Sequence, residues 1–292
     1  MLRPLLTLAA VVAAAPAFAQ IAPECADIPM PDDYNEQAQA DFMANSVALA
    51  TSWSPVHGPI PHEPGHGAIG VNVGVIPPLS CERRFVLSHT KTEDTNKSPA
   101  VPRLFASAAL PAVGKVVPYV SFGYIPPVPL LGTTNVIVSG ELGAGLPLGP
   151  HAQVGARFHA TLQKTIGEIA TPFTADEPAY DDLYLASTYG ADGLFGWSFG
   201  AVTPYVALGW MDASTFFYIG DDGVVANNLH PYNGPTTSLG VDGLAWKHLR
   251  VGGELYAAWG GYSTPDDTVE SVSPASRYGR MYTGRLRFGY EF

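Results

Sequence analysis

From Met281 to Phe292 the chain alternates without a break. Tyr282, Leu286, Phe288, Tyr290 and Phe292 fall on one face, while Arg285, Arg287, Gly289 and Glu291 fall on the other. A strand repeats every two residues, so this segment presents one aromatic and aliphatic face and one charged face. A soluble sheet seldom ends on such a strand, because its apolar face needs a second sheet to meet.

Nine further segments carry the same period. They are Gly67–Ile76, Val101–Leu110, Val116–Tyr124, Thr134–Leu146, His151–Lys164, Asp182–Asp192, Ala201–Asp212, Pro235–Ala245 and His248–Gly260. The fifth strand is the cleanest: Val154, Ala156, Phe158, Ala160 and Leu162 oppose Gln153, Arg157, His159, Thr161 and Gln163. The connections alternate in length. Pro111–Lys115, Pro147–Pro150, Gly193–Gly200 and Trp246–Lys247 are short. Pro77–Ala100, Ile125–Thr133, Thr165–Asp181, Ala213–Gly234 and Gly261–Gly279 are longer.

Residues 1–19 read as a cleaved secretory signal peptide: Arg3, a short apolar run, and Ala17-Phe18-Ala19 before Gln20. No later stretch is long and apolar enough for a spanning helix. A chain that crosses lipid without helices must close its strands into a barrel, since lipid satisfies no open backbone group. The low charged fraction of 14%, with 31 glycines and 14 tyrosines, fits that solution. Together the leader, the alternating connections and the Phe-terminated strand resemble bacterial outer-membrane β-barrel proteins, over nearly the whole chain. The resemblance implies an all-β, antiparallel, up-and-down transmembrane barrel of about ten strands over residues 66–292, in the outer membrane of a Gram-negative cell. It implies contact with outer-membrane lipids and lipopolysaccharide, and recognition of Phe292 by the barrel-assembly machinery during insertion. The formal net charge of −11 offers no basic footprint for nucleic acid.

Charges facing lipid are costly, so the polar-face residues Arg103, Glu141, Arg157, His159, Asp242, Arg250, Glu254, Arg285 and Arg287 are expected to line the lumen. Glu291 joins them. Cations and anions are nearly balanced, which fits a ladder of ion pairs filling a narrow barrel; a charged constriction selecting solutes is the other reading. Residues 20–65 read as a helical extension and linker. Asp32 or Asp33 can cap a helix that Ala38, Ala40, Ala44, Ala48 and Ala50 favour. Such a helix is roughly 25 Å long, close to the height of a barrel's apolar band. It lies either in the periplasm or in the lumen as a plug. In the lumen it would bring Cys25 to the rim that holds Cys81, which permits a disulfide. The stretch Trp53–Gly65, rich in proline, reads as a solvated linker.

Chemistry-bearing motifs are weak. His57, His62, Glu63 and His66 are ligand types for zinc, but their spacing matches no helix-borne motif, and no metal or other cofactor is expected. The acidic run Ala175–Asp182 and the pair Asp221–Asp222 lack calcium-loop spacing and read as solvated loops. Omptin proteases are ten-stranded and use Asp–His pairs at the outer rim. Asp182 and Asp212 lie at upper strand ends, with no histidine two positions away. Lipid hydrolases need a serine, a histidine and an orienting group, which the spacing alone does not supply. The leading expectation is a small pore or plugged channel for small or hydrophobic solutes. The alternatives are a closed structural or adhesion barrel, with Phe216, Tyr218 and Tyr232 as loop contacts, and a rim protease or lipid hydrolase.

Overall fold

The computed structural model describes residues 25–29, 36–81, 84–86, 91–93, 99–130, 133–172, 180–220, 223–226, 232–259 and 280–292. The leader 1–19, the pair Asp221–Asp222 and the loop from 261 to 279 lie outside the described residues.

Ten strands form one closed antiparallel barrel. They are β1 (Gly67–Val75), β2 (Ala100–Ala109), β3 (Val117–Leu130), β4 (Thr133–Pro147), β5 (Ala152–Gly167), β6 (Asp182–Trp197), β7 (Val202–Ile219), β8 (Tyr232–Leu244), β9 (Leu249–Trp259) and β10 (Arg280–Glu291). Each pairs with its sequence neighbours, and β10 pairs with β1 from Ala68↔Glu291 to Gly74↔Arg285 to close the ring. The alternation in the sequence becomes an inside and an outside. Leu104, Leu142, Leu162, Leu208, Leu239 and Leu255 are each more than half exposed on the outer wall. So continuous an apolar surface is a lipid-facing band. Aromatic side chains border it at both edges. Trp197, Phe199, Trp246, Tyr290 and Phe292 lie at the end that carries the short turns, and Tyr189, Trp210, Trp259 and Tyr282 lie toward the other. Trp210 and Trp259 donate their indole N–H groups to Asn233 (2.6 Å) and Thr237 (2.7 Å), as rings at a wet interface do. Short turns mark the periplasmic side.

Three expected boundaries are corrected. The connection expected at Ile125–Thr133 is instead strand, because β3 reaches Leu130 and β4 begins at Thr133. Pro126, Pro127 and Pro129 read as breakers, but the ladder accommodates them by a register shift between Ile125 and Val128. The turn expected at Gly193–Gly200 is strand as far as Trp197, and of its glycines Gly200 takes a turn conformation, at φ 80°. The loop expected from Ala213 is strand to Ile219. Strands β3 to β7 therefore stand taller than the rest, as a wall above the membrane on one side.

Inside the barrel lies α1 (Glu36–Thr51). Ala40, Met43, Ala44, Ala48 and Leu49 pack in one apolar cluster with Tyr184, Ala186, Met211, Ala213, Phe217, Tyr256 and Ala258 from the upper inner wall. An alanine-rich helix buried around most of its circumference fits a space that a bulkier one could not enter. Tyr184 donates to the Ala44 carbonyl (2.6 Å), and Thr51 reaches Gln163 (2.5 Å). Cys25 and Cys81 are disulfide-bonded across a separation of 56 residues, with Cα atoms 5.3 Å apart.

Candidate functional site: the plugged lumen

The helix ends half-way down the lumen, where its last carbonyls meet guanidinium groups. Arg103 donates to Thr51 O (2.5 Å) and Arg285 to Leu49 O (3.2 Å). Cations at a helix C-terminus satisfy its orphan carbonyls and oppose its dipole. The void beside them, lined by Ser52, Ser54, Asn72, Arg103 and Arg285, measures about 10 Å³. That is the space of one water molecule.

Below the helix the chain continues through the lumen as residues 52–62, which corrects the expectation of a solvated linker. Trp53, Val56, His57 and His62 are buried. The reason is local: the inner wall of the lower lumen carries glycines where this segment passes. A Cβ on Gly123 would stand 2.3 Å from Trp53, and one on Gly145 would stand 2.2 Å from the Pro59 carbonyl. Prolines keep the segment extended, so its own backbone groups bond to the wall. Trp53 N–H donates to Thr161 (2.9 Å), Asn72 donates to Ser54 O (2.8 Å), and Arg287 donates to Pro55 O (3.2 Å). Val56 is held at φ 53°, a conformation that costs a β-branched residue about 1–3 kcal/mol.

The charged residues expected in the lumen all face it, and most are buried. Arg157 donates to Asp192 (2.6 Å) and lies 4.0 Å from Glu141, while His159 sits 3.3 Å from Asp192. Glu141 meets His57 of the plug at 3.3 Å. Glu254 accepts from Ser54 of the plug (2.5 Å) and Tyr205 (2.9 Å), and pairs with Arg285 at 3.5 Å. Arg250 grips Asp242 with two nitrogens and reaches Glu291 at 3.0 Å. Arg103, Arg285 and Arg287 also lie over the rings of Trp53, Tyr256 and Phe105. Paired in this way, buried charges hold their places, whereas removal of one partner strands the other at about 3–5 kcal/mol.

Asp192 was missed because the strand was ended on it; carrying the alternation of β6 to Trp197 would have found it. The plug's own contributions, Trp53, Ser54, His57 and His62, have no periodic signal. Of the four zinc-ligand types, His57 and His62 point into the lumen while Glu63 and His66 are exposed at its periplasmic mouth, so they are not brought together. Asp182 is buried, not part of a solvated loop: it accepts from the backbone N–H groups of Ile169, Ala170 and Gly220. Tyr232 is also buried, against the helix, which removes it from any loop contact surface.

One further grouping was not foreseen. At the periplasmic mouth the Ser107 hydroxyl lies 2.7 Å from His62 Nε2, and His62 Nδ1 lies 3.3 Å from Glu291. Arg287 donates to the same hydroxyl at 2.9 Å. A proton on Nδ1 facing the carboxylate leaves Nε2 to accept from serine.

No family model and no curated protein matches this sequence. Among solved structures the chain is similar to the translocator domain of the autotransporter NalP from Neisseria meningitidis, at 11% identity and TM-score 0.42, over 87% of this chain and 96% of that one. It is also similar to the P. putida toluene transporter TodX (9% identity, TM-score 0.33, 80% and 69%). A Pseudomonas aeruginosa FadL homologue matches at 7% identity and TM-score 0.28, over 90% and 98%. This chain has the fold of an outer-membrane β-barrel. That statement rests on its closed ring, apolar band and charged interior; likenesses this distant say nothing of what passes through it.

Proposed function

We propose that this protein is an outer-membrane channel for small solutes that is closed at rest by its own N-terminal segment. One observation carries the reading. An α-helix with its side chains needs a bore of about 10–12 Å, and the ten-stranded wall encloses such a bore that residues 36–62 occupy. The wall's own side chains do not close it. With the segment withdrawn, the upper wall would offer Tyr184, Met211, Phe217 and Tyr256 to an apolar or amphipathic solute. The lower wall would offer Ser107, Thr161, Glu141 and Arg157. The test is planar-bilayer conductance of the refolded mature protein and of a variant lacking residues 20–62. We expect silence from the first and steady conductance from the second. A deletion variant that still migrates as a folded, heat-modifiable barrel but stays silent ends the proposal.

The Ser107–His62–Glu291 grouping favours a second reading, a hydrolase of acyl esters at the periplasmic mouth. Ser107 Oγ would attack the ester carbonyl, its proton passing to His62 Nε2 and from there to the leaving alcohol as the ester C–O bond breaks, with Arg287 facing the developing oxyanion; water, activated by His62, would then release the acyl group as the acid and restore Ser107. Labelling of the protein by a fluorophosphonate probe, lost in both Ser107→Ala and His62→Ala, is the outcome this reading requires. Unlabelled full-length protein leaves the trio as an anchor for the plug.

A further inference from the structure

Where β10 meets β1, the inner wall is built from hydrogen-bond donors directed at the plug. Asn72 of β1 is the cross-strand partner of Arg103 on β2 and of Arg287 on β10, so the three side chains share one rung. Arg285 stands one inward position higher on β10, opposite Gly74. Arg103 donates to Thr51 O (2.5 Å), Asn72 to Ser54 O (2.8 Å), Arg287 to Pro55 O (3.2 Å) and Arg285 to Leu49 O (3.2 Å). All four acceptors are backbone carbonyls of the plug. Leu49 and Thr51 belong to the last turn of α1, where the helix dipole places its negative end.

The acids of the lumen are engaged elsewhere. Arg157 serves both Asp192 (2.6 Å) and Glu141 (4.0 Å), and Arg250 serves both Asp242 (2.9 Å) and Glu291 (3.0 Å). Glu254 pairs with Arg285 at 3.5 Å. Among the described residues, Arg103 and Arg287 therefore have no carboxylate partner, although both are buried. The Nε atom of each also lacks a hydrogen-bond partner. A buried guanidinium without a counter-ion is costly, and here only neutral groups offset that cost. Directly above, the wall turns apolar. The Tyr256 ring lies 4.0 Å from the Arg285 guanidinium, and Met211, Phe217 and Tyr184 continue the apolar surface around the helix. The plug thus lies as an amphipathic anion would, with its apolar body along the upper wall and its electronegative end on the guanidinium groups.

We infer that the rung Arg103–Asn72–Arg287 is a carboxylate site, and that the lumen takes small monocarboxylates with an apolar body. The carboxylate lies between the two guanidinium groups with the Asn72 amide donating to it, and the aryl or alkyl body lies against Tyr256 and the apolar wall above. Two guanidinium forks flanking an amide match a planar group with about four lone-pair directions, and charge-assisted bonds to it are stronger than those to the neutral carbonyls now in place. The end of α1 is then a stand-in for the head group of the solute. The donors that hold the plug are the same ones that recognise the molecule displacing it. The inference rests on the reading of the N-terminal segment as a plug that can leave its place. A ligand that binds only the displaced state raises the population of that state in proportion to its concentration over its dissociation constant.

The experiment is hydrogen exchange of the full mature chain in lipid nanodiscs with its disulfide reduced, titrated with phenylbutyrate, phenylbutyramide and phenylbutylamine. We expect the carboxylate, at about ten times its dissociation constant, to speed exchange of the α1 amides about tenfold, with those of β4 and β5 unchanged. The neutral amide and the amine should have no effect. Arg103→Gln and Arg287→Gln loosen the plug by themselves, so exchange without solute rises, but the affinity for phenylbutyrate should fall about tenfold or more in each. Arg103→Lys should keep part of it. Because the three compounds are compared on the wild type, a variant that fails to fold still leaves the outcome decided. An α1 response that the amide matches, a response that both glutamine variants retain, or no response to the carboxylate would overturn the site and leave these arginines as anchors for the plug. Conductance separates this inference from the channel reading: a carboxylate-specific response of α1 without current keeps the site and counts against the channel, whereas current from the variant lacking residues 20–62 keeps the channel whatever α1 does.

Discussion

At the scale of single residues, the lumen depends on positions that are small or charged for one reason, the passage of the plug. Gly123 faces Trp53 so closely that any side chain there displaces the indole or the Arg103 stem beside it. Gly123→Val should destabilise the plugged state by about 1–3 kcal/mol, the usual range for overpacking. Limited proteolysis should then cut within residues 36–62 while the barrel core resists; unchanged protection would mean that the contact is looser than it stands. Glu254 is the charged counterpart, binding plug and wall at once through Ser54, Tyr205 and Arg285. Glu254→Gln leaves Arg285 buried without its carboxylate and should cost about 3–5 kcal/mol. The readout is a lower temperature for the gel shift from compact to unfolded barrel. If that temperature does not move, Arg285 draws its support from Leu49 O, Ser52 and the Tyr256 ring instead.

Among the elements, β10 and β1 make the seam that closes the ring. Gly67 N–H donates to the Phe292 carbonyl (3.1 Å), and Phe292 N–H donates back to Gly67 (2.9 Å), while the Phe292 ring stays exposed at the periplasmic border. Phe292→Ser keeps both backbone bonds and removes the ring alone, so a loss of heat-modifiable barrel in outer-membrane fractions would separate a role in insertion from one in folding. Normal yield would show that the ring is dispensable. The strands were legible because a barrel imposes one rule everywhere, apolar out and polar in, and the rule survives in β5 and β10 with hardly an exception. It faded where glycine and proline serve another purpose. Gly196 reads as a turn, yet it is a flat place against Pro59, where a Cβ would stand 2.7 Å away. Residues 53–62 read as a linker because an extended plug has no period of its own. Its order comes from the wall around it, which no local pattern records.

Over the whole molecule, the N-terminal segment is a thread fixed at both ends. Below, it runs directly into β1 at the periplasmic rim; above, Cys25 is bonded to Cys81, beyond the top of the same strand. While that bond holds, residues 25–81 form a covalent ring that includes β1, and the helix can shift within the bore but cannot be drawn out of it. The cross-link should contribute about 2–4 kcal/mol by restricting the unplugged chain. The Cys25→Ser, Cys81→Ser variant keeps every polar contact of the lower lumen, so it should still fold as a plugged barrel. It should, however, visit the open state far more often. Conductance recordings should then show brief openings that the oxidised wild type lacks, and reduction of the wild type should produce the same openings. Hydrogen exchange offers a check that does not depend on current: amides of α1 should exchange faster in the variant while those of β4 and β5 do not. If α1 stays equally protected and the bilayer stays silent, the polar and apolar contacts of residues 36–62 alone fix the plug, and opening would need a force applied from outside the barrel.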